Sequence, residues 1–336
     1  MPVATSARLI THLFRQKLEE EPTRAGFGRG LVLAGERDPN VVALCADLTE
    51  STKMEAFRDR FPERFIEVGV AEQNLVTVAA GLALAGKVPF VTSYAGFSPG
   101  RNWEQIRTTI ALNQTDVKII GSHAGVSVGP DGATHQMLED IALMRVMPGM
   151  RVIYPADALE AEKATLAIAA SEGAAYLRLA RADTPIVTTS KTPFILGKGQ
   201  IFWEGDRIAI IATGPLLYQA LLAAHELETE DDIRICVINM PTIKPLDEKL
   251  VLEVAKTCEA VITVEEAQVA GGLGGAVAEL LSEKLPTPLR RIGVQDHFGE
   301  SGEPEELLEA FGLTAKYIKR AVAELLPKTR KRKDKK

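Results

Sequence analysis

The order of apolar and polar residues divides the chain into short strand-like runs separated by helical patterns. In the first half most runs are continuously apolar rather than alternating, which is typical of parallel strands covered on both faces. Between them, Trp103–Leu112 and Ala158–Ala170 have the spacing of helices. This βαβ rhythm predicts a doubly wound domain. The predicted strands are Val41–Ala46, Phe65–Val68, Val88–Ser93, Val117–Ser122, Val152–Tyr154 and Tyr176–Leu179.

A second alternating unit follows Thr184–Gly205, a segment rich in Pro, Thr, Lys and Gly that is predicted to be a linker. Its predicted strands are Ile208–Ala212, Ile233–Asn239 and Ala260–Val264, and its predicted helices are Leu216–Leu227 and Gly275–Glu283. We therefore predict an α/β protein of two doubly wound domains with mainly parallel sheets. The expected divisions are a polar, partly helical lead-in (1–22), a first domain (23–185), a linker (186–205), a second domain (206–326) and a disordered basic tail (327–336).

Within the first unit, residues 64–87 combine a short strand with a strongly apolar helical pattern. The strand Phe65–Val68 ends at Gly69, and Leu75–Ala85 consists almost entirely of small apolar residues, which predicts a helix buried on all sides. Glu72 lies at the junction, just before that helix. A carboxylate there can simply be favoured by the helix dipole, whereas burying one without a partner is unfavourable. Glu72 is therefore a candidate whose role depends on its neighbours.

The bulk composition narrows the class of protein. With 336 residues, of which 46% are hydrophobic and 25% charged, the chain can build two domain cores. A net charge of -6 argues against nucleic acid as the main partner. No apolar run is long enough to span a bilayer, and the N-terminus lacks the apolar core of a signal peptide. Cys45, Cys236 and Cys258 show no metal-ligand spacing and are predicted to be reduced, so a cytosolic location is expected.

Polar and aromatic residues concentrate just after four successive strands of the first unit. Open parallel sheets bind ligands at this carboxyl edge, so the four loops are predicted to form one site. The segments concerned are Asp47–Ser51, Glu72, Ser93–Gly100 and His123–Gln136.

The last of these loops carries His123, Asp131 and His135 among several glycines that allow tight turns. Two histidines twelve residues apart and one aspartate fit no common metal-ligand spacing. Proton transfer and hydrogen bonds to hydroxyl groups suit these residue types better, so we expect the three to act together on a polar ligand. Tyr94 and Phe97 are either core aromatics or a stacking wall for a flat ring.

Taken together, these motifs resemble the transketolase family. The resemblance covers about Pro22 to Leu325, nearly the whole chain, and its most specific element is Asp-Gly-x-Thr-His-Gln. It implies a pyrimidine-binding domain followed by the family's C-terminal domain. The matching elements are Cys-Ala-Asp47-Leu-Thr-Glu-Ser51, Gly-Val-Ala-Glu72-Gln-Asn, Asp131-Gly-Ala-Thr-His135-Gln, Leu-Ala-Arg181 and the stretch from Glu265 to Gly275.

The resemblance implies thiamine diphosphate as the cofactor and transfer of a two-carbon ketol unit from a ketose phosphate to an aldose phosphate. Glu72 would hydrogen-bond the ring nitrogen of the cofactor's aminopyrimidine, with His123 and His135 as further catalytic residues. The other implied contacts are those of Asp47, Tyr94, Phe97 and Arg101 with the cofactor, and those of Arg24, Ser51, His123, Asp131 and Arg181 with the substrate.

A full-length transketolase begins with a domain that holds the cofactor's diphosphate through a metal ion, marked by Gly-Asp-Gly followed later by Asn. No Gly-Asp-Gly occurs in the 336 residues. The resemblance therefore implies the C-terminal subunit of a split transketolase, with the diphosphate and its Mg2+ or Ca2+ held by a separate N-terminal subunit. Two copies of each subunit would form a heterotetramer, with no role for nucleic acid or a membrane.

Other interpretations stay open. The β subunit of a 2-oxo-acid dehydrogenase first component has the same layout but would take part in oxidative decarboxylation. A deoxyxylulose-phosphate synthase-like half and a non-catalytic regulatory subunit are further alternatives. The loop from Phe97 to Trp103 is one residue longer than in full-length transketolases and lacks one of their aromatics. Gly271–Gly275 lacks the third glycine of a dinucleotide-binding turn, so we predict a plain turn into the following helix.

Overall fold

The structure, a computed structural model, describes residues 3–15 and 17–333, with side chains described up to residue 326. It confirms an α/β fold with two mainly parallel sheets. In chain order the strands are β1 (Glu20–Glu21), β2 (Val41–Cys45), β3 (Phe65–Glu67), β4 (Val88–Tyr94), β5 (Lys118–Ser122), β6 (Arg151–Ile153), β7 (Ala175–Arg178), β8 (Thr184–Pro185), β9 (Gln200–Trp203), β10 (Ile208–Ala212), β11 (Ile235–Asn239), β12 (Thr242–Lys244), β13 (Ala260–Gln268) and β14 (Leu289–Val294).

Helices cover both faces of each sheet. Those of the first unit are α1 (Thr23–Arg37), α2 (Glu55–Arg60), α3 (Glu72–Leu84), α4 (Trp103–Gln105, continued by a π-helical segment Ile106–Ala111), α5 (Asp140–Arg145) and α6 (Ala158–Ala169). Those of the second unit are α7 (Leu216–Asp231), α8 (Glu248–Thr257), α9 (Leu273–Lys284), α10 (Pro304–Ala310) and α11 (Ala315–Lys333).

The first sheet has seven strands in the order β12-β6-β7-β5-β4-β2-β3, and every pair is parallel except β12 with β6. Alternate residues of β2 face opposite helix layers. Val41, Ala43 and Cys45 pack with α1 and α6, whereas Val42 and Leu44 pack with α3 and the π-helical segment. Two covered faces explain why the strand is apolar throughout. From β2 the chain goes to β3 on one side and then to β4 on the other side. The topological switch point of this sheet therefore lies at the carboxyl ends of β2 and β4.

The second sheet has five strands in the order β14-β13-β10-β11-β9, with only β9 antiparallel to its neighbour. Its own switch point lies between β10 and β13, and a residue of the first unit fills it. The Tyr154 carbonyl accepts hydrogen bonds from Gly214 N (3.1 Å) and Thr213 Oγ1 (3.2 Å). The Tyr154 ring occupies the space where a Cβ on Gly214 would lie. This crevice is therefore closed to a ligand.

The glycine run before α9 carries an internal carboxylate instead of a phosphate. Glu265 accepts hydrogen bonds from the backbone amides of Leu273 and Gly274, both at 2.7 Å. A Cβ on Gly272 would lie 2.0 Å from Glu265 Oε2, so only glycine fits there. Burial raises the pKa of Glu265 to about 7 against the opposing effect of these amides. Gly271 and Gly272 form a turn into α9, as the sequence predicted, but the helix begins at Leu273, two residues before its predicted start at Gly275.

Helix α3 differs from its prediction in two ways. It begins at Glu72 itself, three residues before the predicted start at Leu75. The prediction that it is buried on all sides is wrong, because Leu75 and Ala79 face the core while Gly81 is exposed and Leu84 is 76% exposed. The small apolar residues allow close packing on β4 but leave one apolar side of the helix in contact with solvent.

The predicted lead-in and linker both carry ordered structure. Leu9 and Leu13 are buried in the core of the second unit, and the Phe14 ring stacks on His225 with centroids 4.3 Å apart. Strand β1 pairs antiparallel with β8. Strand β9 lies inside the predicted linker and pairs with β11. The residues that make these contacts are apolar residues scattered among polar ones. The predicted elements did not include them.

The C-terminal helix continues into the basic tail. Helix α11 extends to Lys333, where the sequence predicted disorder from residue 327 onward, and residues 334–336 lie outside the described part. Among the described residues, no helix combines the length and the apolar character that crossing a membrane requires.

Candidate active site

Glu72 is a deeply buried charged group at the carboxyl edge of the first sheet. It is the first residue of α3, and its side chain is 1% exposed. Oε2 accepts a hydrogen bond from Arg101 Nη1 at 2.7 Å, while Oε1 is buried and has no hydrogen-bond partner among the described residues. Asn102 Nδ2 donates to the Glu72 carbonyl at 2.8 Å, which fixes the start of the helix. The carboxylate is therefore positioned but only half satisfied.

An aromatic wall follows Glu72. The Tyr94 and His123 rings stack with centroids 3.9 Å apart, and the Phe97 centroid is 6.1 Å from that of Tyr94. The His135 ring meets Phe97 edge-on at 5.4 Å. The Arg101 guanidinium lies 4.8 Å from the Phe97 centroid and so joins the wall to the carboxylate. Tyr94 is the last residue of β4, one residue past the predicted end of that strand, and the other side chains come from the loops after β4 and β5, as the sequence predicted.

His123 is a neutral group at physiological pH. It has a left-handed backbone (φ 57°), and its Nδ1 lies 2.8 Å from Ser122 Oγ. Burial, followed by the charges of Arg24 and Arg181, lowers the pKa of His123 to about 3. The ring can therefore exchange hydrogen bonds with a ligand but carries no positive charge of its own.

Two arginines lie beside this histidine, and the carboxylates of Asp183 and Glu55 act on Arg24 through their charge but form no salt bridge with it. Burial and then the charge of Arg181 lower the pKa of Arg24, so the two guanidiniums repel each other. Arg24 donates to the Ser51 carbonyl and Arg181 Nη1 to the Val128 carbonyl at 3.1 Å. Neither arginine forms a salt bridge with a described residue, and Arg24 Nε is buried without a partner among them. Such a pair is suited to an oxyanion.

Two predicted site residues lie apart from this group. Asp131 is exposed on the outer part of the glycine-rich loop. Asp47 is also exposed and has a left-handed backbone (φ 60°). Ser51 lies against Arg24, but through its backbone carbonyl rather than its hydroxyl.

The sequence analysis missed Glu67, the last residue of β3. Its carboxylate accepts hydrogen bonds from the amides of Asp47 (2.8 Å) and Gly69 (2.9 Å) and from Thr49 Oγ1 (3.3 Å). Glu67 thus ties the loop after β2 to the loop that leads into Glu72. A carboxylate at the end of an otherwise apolar strand was the available signal.

A buried ionic cluster supports the glycine-rich loop from below. Arg178 Nε donates to Asp140 Oδ2 at 2.8 Å, and both side chains are fully buried. Tyr176 OH donates to the same oxygen at 2.6 Å, and Arg178 Nη2 donates to the Met137 carbonyl at 3.1 Å. Burial lowers the pKa of Arg178, but Asp140, Tyr154, Glu266 and Tyr176 together outweigh it and the net pKa is raised. Removing either partner would leave a buried charge, so this cluster is structural.

Comparison with known proteins assigns the two units. Residues 19–186 match the family model "Transketolase, pyrimidine binding domain" and residues 197–318 match "Transketolase, C-terminal domain". A Methanocaldococcus jannaschii protein provisionally named a transketolase C-terminal section is 44% identical over 91% of this chain and 96% of its own length. A solved structure described as "Split gene transketolase, inactive beta4 tetramer" has 45% identity and a TM-score of 0.85, covering 91% of this chain and 98% of that one.

Two further relatives differ in how much of their own length this chain matches. The 6-deoxy-6-sulfo-D-fructose transketolase subunit SqwH of Clostridium sp. (strain MSTE9) is 42% identical over 93% of this chain and 97% of its own length. Transketolase of Mus musculus is 36% identical over 91% of this chain but only 49% of its own length. The chain thus matches the first of these almost end to end and about half of the second.

Proposed function

The chain belongs to the transketolase family, and we propose that it is the C-terminal subunit of a split transketolase. In this proposal it transfers a two-carbon ketol unit from a ketose phosphate to an aldose phosphate, together with a separate N-terminal subunit. The observation that carries the proposal is the buried Glu72, whose Oε1 lacks a partner among the described residues beside the wall of Tyr94 and Phe97. The near end-to-end match to a transketolase C-terminal section supports it.

The site residues fit the aminopyrimidine part of thiamine diphosphate. Glu72 Oε1 is a buried acceptor that needs a donor, and Tyr94, Phe97 and the Arg101 guanidinium form flat surfaces beside it. When bound, this cofactor supplies an electron sink for cleaving a carbon–carbon bond next to a carbonyl. The task of Glu72 is to hold a hydrogen bond at one fixed position, and Arg101 and Asn102 keep it there. Asp47 would contact the cofactor at the subunit boundary.

The anionic end of a phosphosugar would bind Arg24 and Arg181. Their guanidiniums repel each other and form no salt bridge with a described residue, which leaves them available as donors for a phosphate. Neutral His123 would hydrogen-bond a sugar hydroxyl, because its low pKa keeps it uncharged. His135, at the edge of the aromatic wall, would take part in proton transfer. Ser51 and Asp131 complete the proposed substrate contacts.

A partner subunit would supply the cofactor's diphosphate site and its Mg2+ or Ca2+. The name of SqwH describes that protein as a subunit, and the split-gene structure is described as an inactive tetramer of β chains. Both support an active assembly with a partner subunit, and we propose that it contains two copies of each chain. Three free, buried cysteines are compatible with the reducing cytosol that we propose as its location.

The similarity to SqwH favours a second candidate substrate, a ketose with a sulfonate group. A guanidinium pair binds either a phosphate or a sulfonate oxyanion, so Arg24 and Arg181 suit both. The two candidates share the reaction and the roles of Glu72 and His123, and differ only in the charged group of the substrate.

A donor comparison tests the proposed function. The chain is mixed with its separately expressed N-terminal subunit, thiamine diphosphate, Mg2+, an aldose phosphate as acceptor and an artificial electron acceptor. The donor offered is a ketose phosphate, 6-deoxy-6-sulfo-D-fructose or a 2-oxo acid. Ketol transfer from one of the two sugars is the expected result. Oxidative decarboxylation of the 2-oxo acid would instead move the protein to the dehydrogenase class. A stable complex that is inactive with all three donors would support the regulatory subunit.

A further inference from the structure

A short 3-10 turn, Val126–Val128, lies in the glycine-rich loop between the two site histidines. Its polar atoms are held from several directions. Ser127 N donates to Glu266 Oε1 at 2.7 Å, and the Val128 carbonyl accepts from Arg181 Nη1 at 3.1 Å. Gln136 Nε2 donates to the Val126 carbonyl at 3.0 Å and, one residue past the turn, to the Gly129 carbonyl at 3.1 Å. The turn thus connects Gln136 to one of the two unpaired arginines.

Gln136 also contacts the second unit. Its Nε2 lies 2.9 Å from the carbonyl oxygen of Glu300, 164 residues along the chain. A Cβ on Gly299 would lie 1.8 Å from Gln136 Oε1, so the loop approaches this closely only because residue 299 is glycine. Glu266, which holds Ser127, lies on β13 of the same unit. The second unit therefore holds the turn in two places.

These contacts give the second unit a task other than ligand binding. Its switch-point crevice is filled by Tyr154, and the start of α9 is occupied by Glu265. Its closest contacts with the candidate site are those that fix the loop bearing His123 and His135. Gln136 itself is 3% exposed, and its side-chain nitrogen is held by three backbone carbonyls, so it is placed to act through the loop.

We propose that Gln136 is a positioning residue through which the loop Gly299–Ser301 of the second unit orients Arg181 toward the anionic end of the substrate. The inference rests on the proposed function for the identity of that substrate. An uncharged amide is required because its protons are shared among three backbone carbonyls. Methionine has a similar length but no donor, and glutamate would turn an acceptor toward the same oxygens.

The effect should appear in substrate binding more than in turnover. Gln136→Met releases the turn that holds the Val128 carbonyl, so Arg181 loses its fixed direction. We expect KM for the anionic sugar to rise about tenfold while kcat changes by less than about twofold. The same ketose without its charged group should show no change in KM. A merely structural role would lower the active fraction and so reduce the rate equally for both donors.

A substitution in the other unit tests the same contact independently. Gly299→Ala keeps the glutamine at position 136 but adds a methyl group 1.8 Å from its Oε1, so the Gln136 side chain has to move. The variant should therefore reproduce the KM shift of Gln136→Met. Glu300→Ala is the matched control, because it removes an exposed side chain and keeps the backbone carbonyl that contacts Gln136. This control should behave as the wild type.

Hydrogen exchange of this chain gives a readout that needs no activity. Gly299→Ala should speed amide exchange in the peptide covering residues 123–135, and Glu300→Ala should not. If Gly299→Ala speeds exchange but the wild-type mixture transfers no ketol unit, Gln136 does position the loop and the proposed function is wrong. If the wild type is active and Gly299→Ala changes neither exchange nor the KM for the anionic sugar, the proposed role of Gln136 is wrong.

Discussion

At the scale of single residues, burial gives ordinary side chains their particular chemistry. Glu72 and His123 lie in the same edge of one sheet, yet Glu72 has an arginine partner and His123 has two arginines as repelling neighbours. The arginine partner of Glu72 holds its carboxylate in place for a further hydrogen bond. The two arginines beside His123 keep its imidazole uncharged. The sequence identified both residues. The family resemblance grouped Arg24, His123 and Arg181 around one substrate, but the sequence did not reveal that the two arginines depress the pKa of His123, because the three residues come from distant parts of the chain.

Replacing Glu72 with glutamine tests the buried carboxylate. Glu72→Gln keeps the volume and an acceptor oxygen, but it removes the charge that Arg101 pairs with and the acid–base character of the group. We expect turnover of the reconstituted enzyme to fall by at least about 100-fold, with an unchanged urea unfolding midpoint. Glu63→Gln changes an exposed glutamate and is the control. Near-normal turnover of Glu72→Gln under saturating cofactor would remove Glu72 from the catalytic group.

The low pKa of His123 predicts a pH dependence of stability. In the unfolded chain the histidine titrates near its ordinary value of 6.5, whereas in the folded chain its pKa is about 3. Between these values the unfolded state binds more protons, so the free energy of unfolding rises with pH and is lost as pH falls below 6.5. This one group should contribute a loss of about 2 kcal/mol between about pH 8 and pH 5.

Urea unfolding at the two pH values measures this contribution. His123→Asn tolerates the left-handed backbone and should reduce the loss by about 2 kcal/mol. His12→Asn, which changes an exposed histidine outside the site, should keep the wild-type dependence. Equal pH dependence in the wild type and His123→Asn would show that His123 titrates normally in the folded chain.

At the scale of elements, the spacing of apolar residues predicted the central strands of each sheet well and the edge strands poorly. Strand β2 and helix α6 end within one residue of prediction, because continuous apolar runs and helical spacing are local signals. Strand β9 was missed, since an edge strand of four residues between Gly199 and Gly205 has no strong pattern. The exposed side of α3 was also missed, because small apolar residues look alike whether they are covered or not.

Contacts between elements of the two units could not be predicted from the sequence. Asn239 Nδ2 donates to Glu160 Oε1 at 2.6 Å, and Tyr154 OH to Glu266 Oε2 at 3.3 Å. Each pair joins residues about a quarter to a third of the chain apart, and no local pattern links them. The role of Gln136 was hidden for the same reason, although it stands in the Thr-His-Gln motif.

The filled crevice of the second sheet can be tested with a pair of glycines. Gly214→Ala introduces a side chain at φ 67° and places its Cβ 2.1 Å from the Tyr154 ring. Gly86→Ala has a similar backbone, φ 83°, with nothing within 4 Å of the added Cβ. The left-handed backbone costs each variant about 1–2 kcal/mol. We expect Gly214→Ala to lose about 1–3 kcal/mol more in free energy of unfolding, because of overpacking. Equal losses would mean that Tyr154 leaves the crevice without cost.

At the scale of the whole molecule, the two units are built into each other. Strand β12 follows β11 of the second sheet along the chain but pairs with β6 at the edge of the first sheet. The N-terminal segment packs on the second unit before α1 begins the first. Each predicted domain boundary is a single position in the sequence. Because segments of each unit pack on the other, these positions do not divide the molecule into two separable domains.

We propose an assembly in which the active enzyme needs this chain and a separate N-terminal subunit in equal number. The most direct measurement is the initial rate of ketol transfer as the N-terminal subunit is titrated into a fixed amount of this chain, with thiamine diphosphate and Mg2+ in excess. We predict no transfer from either chain alone and a linear rise that stops at one partner per chain. Full activity of this chain alone, or no activity at any ratio with every sugar donor, would contradict the claim.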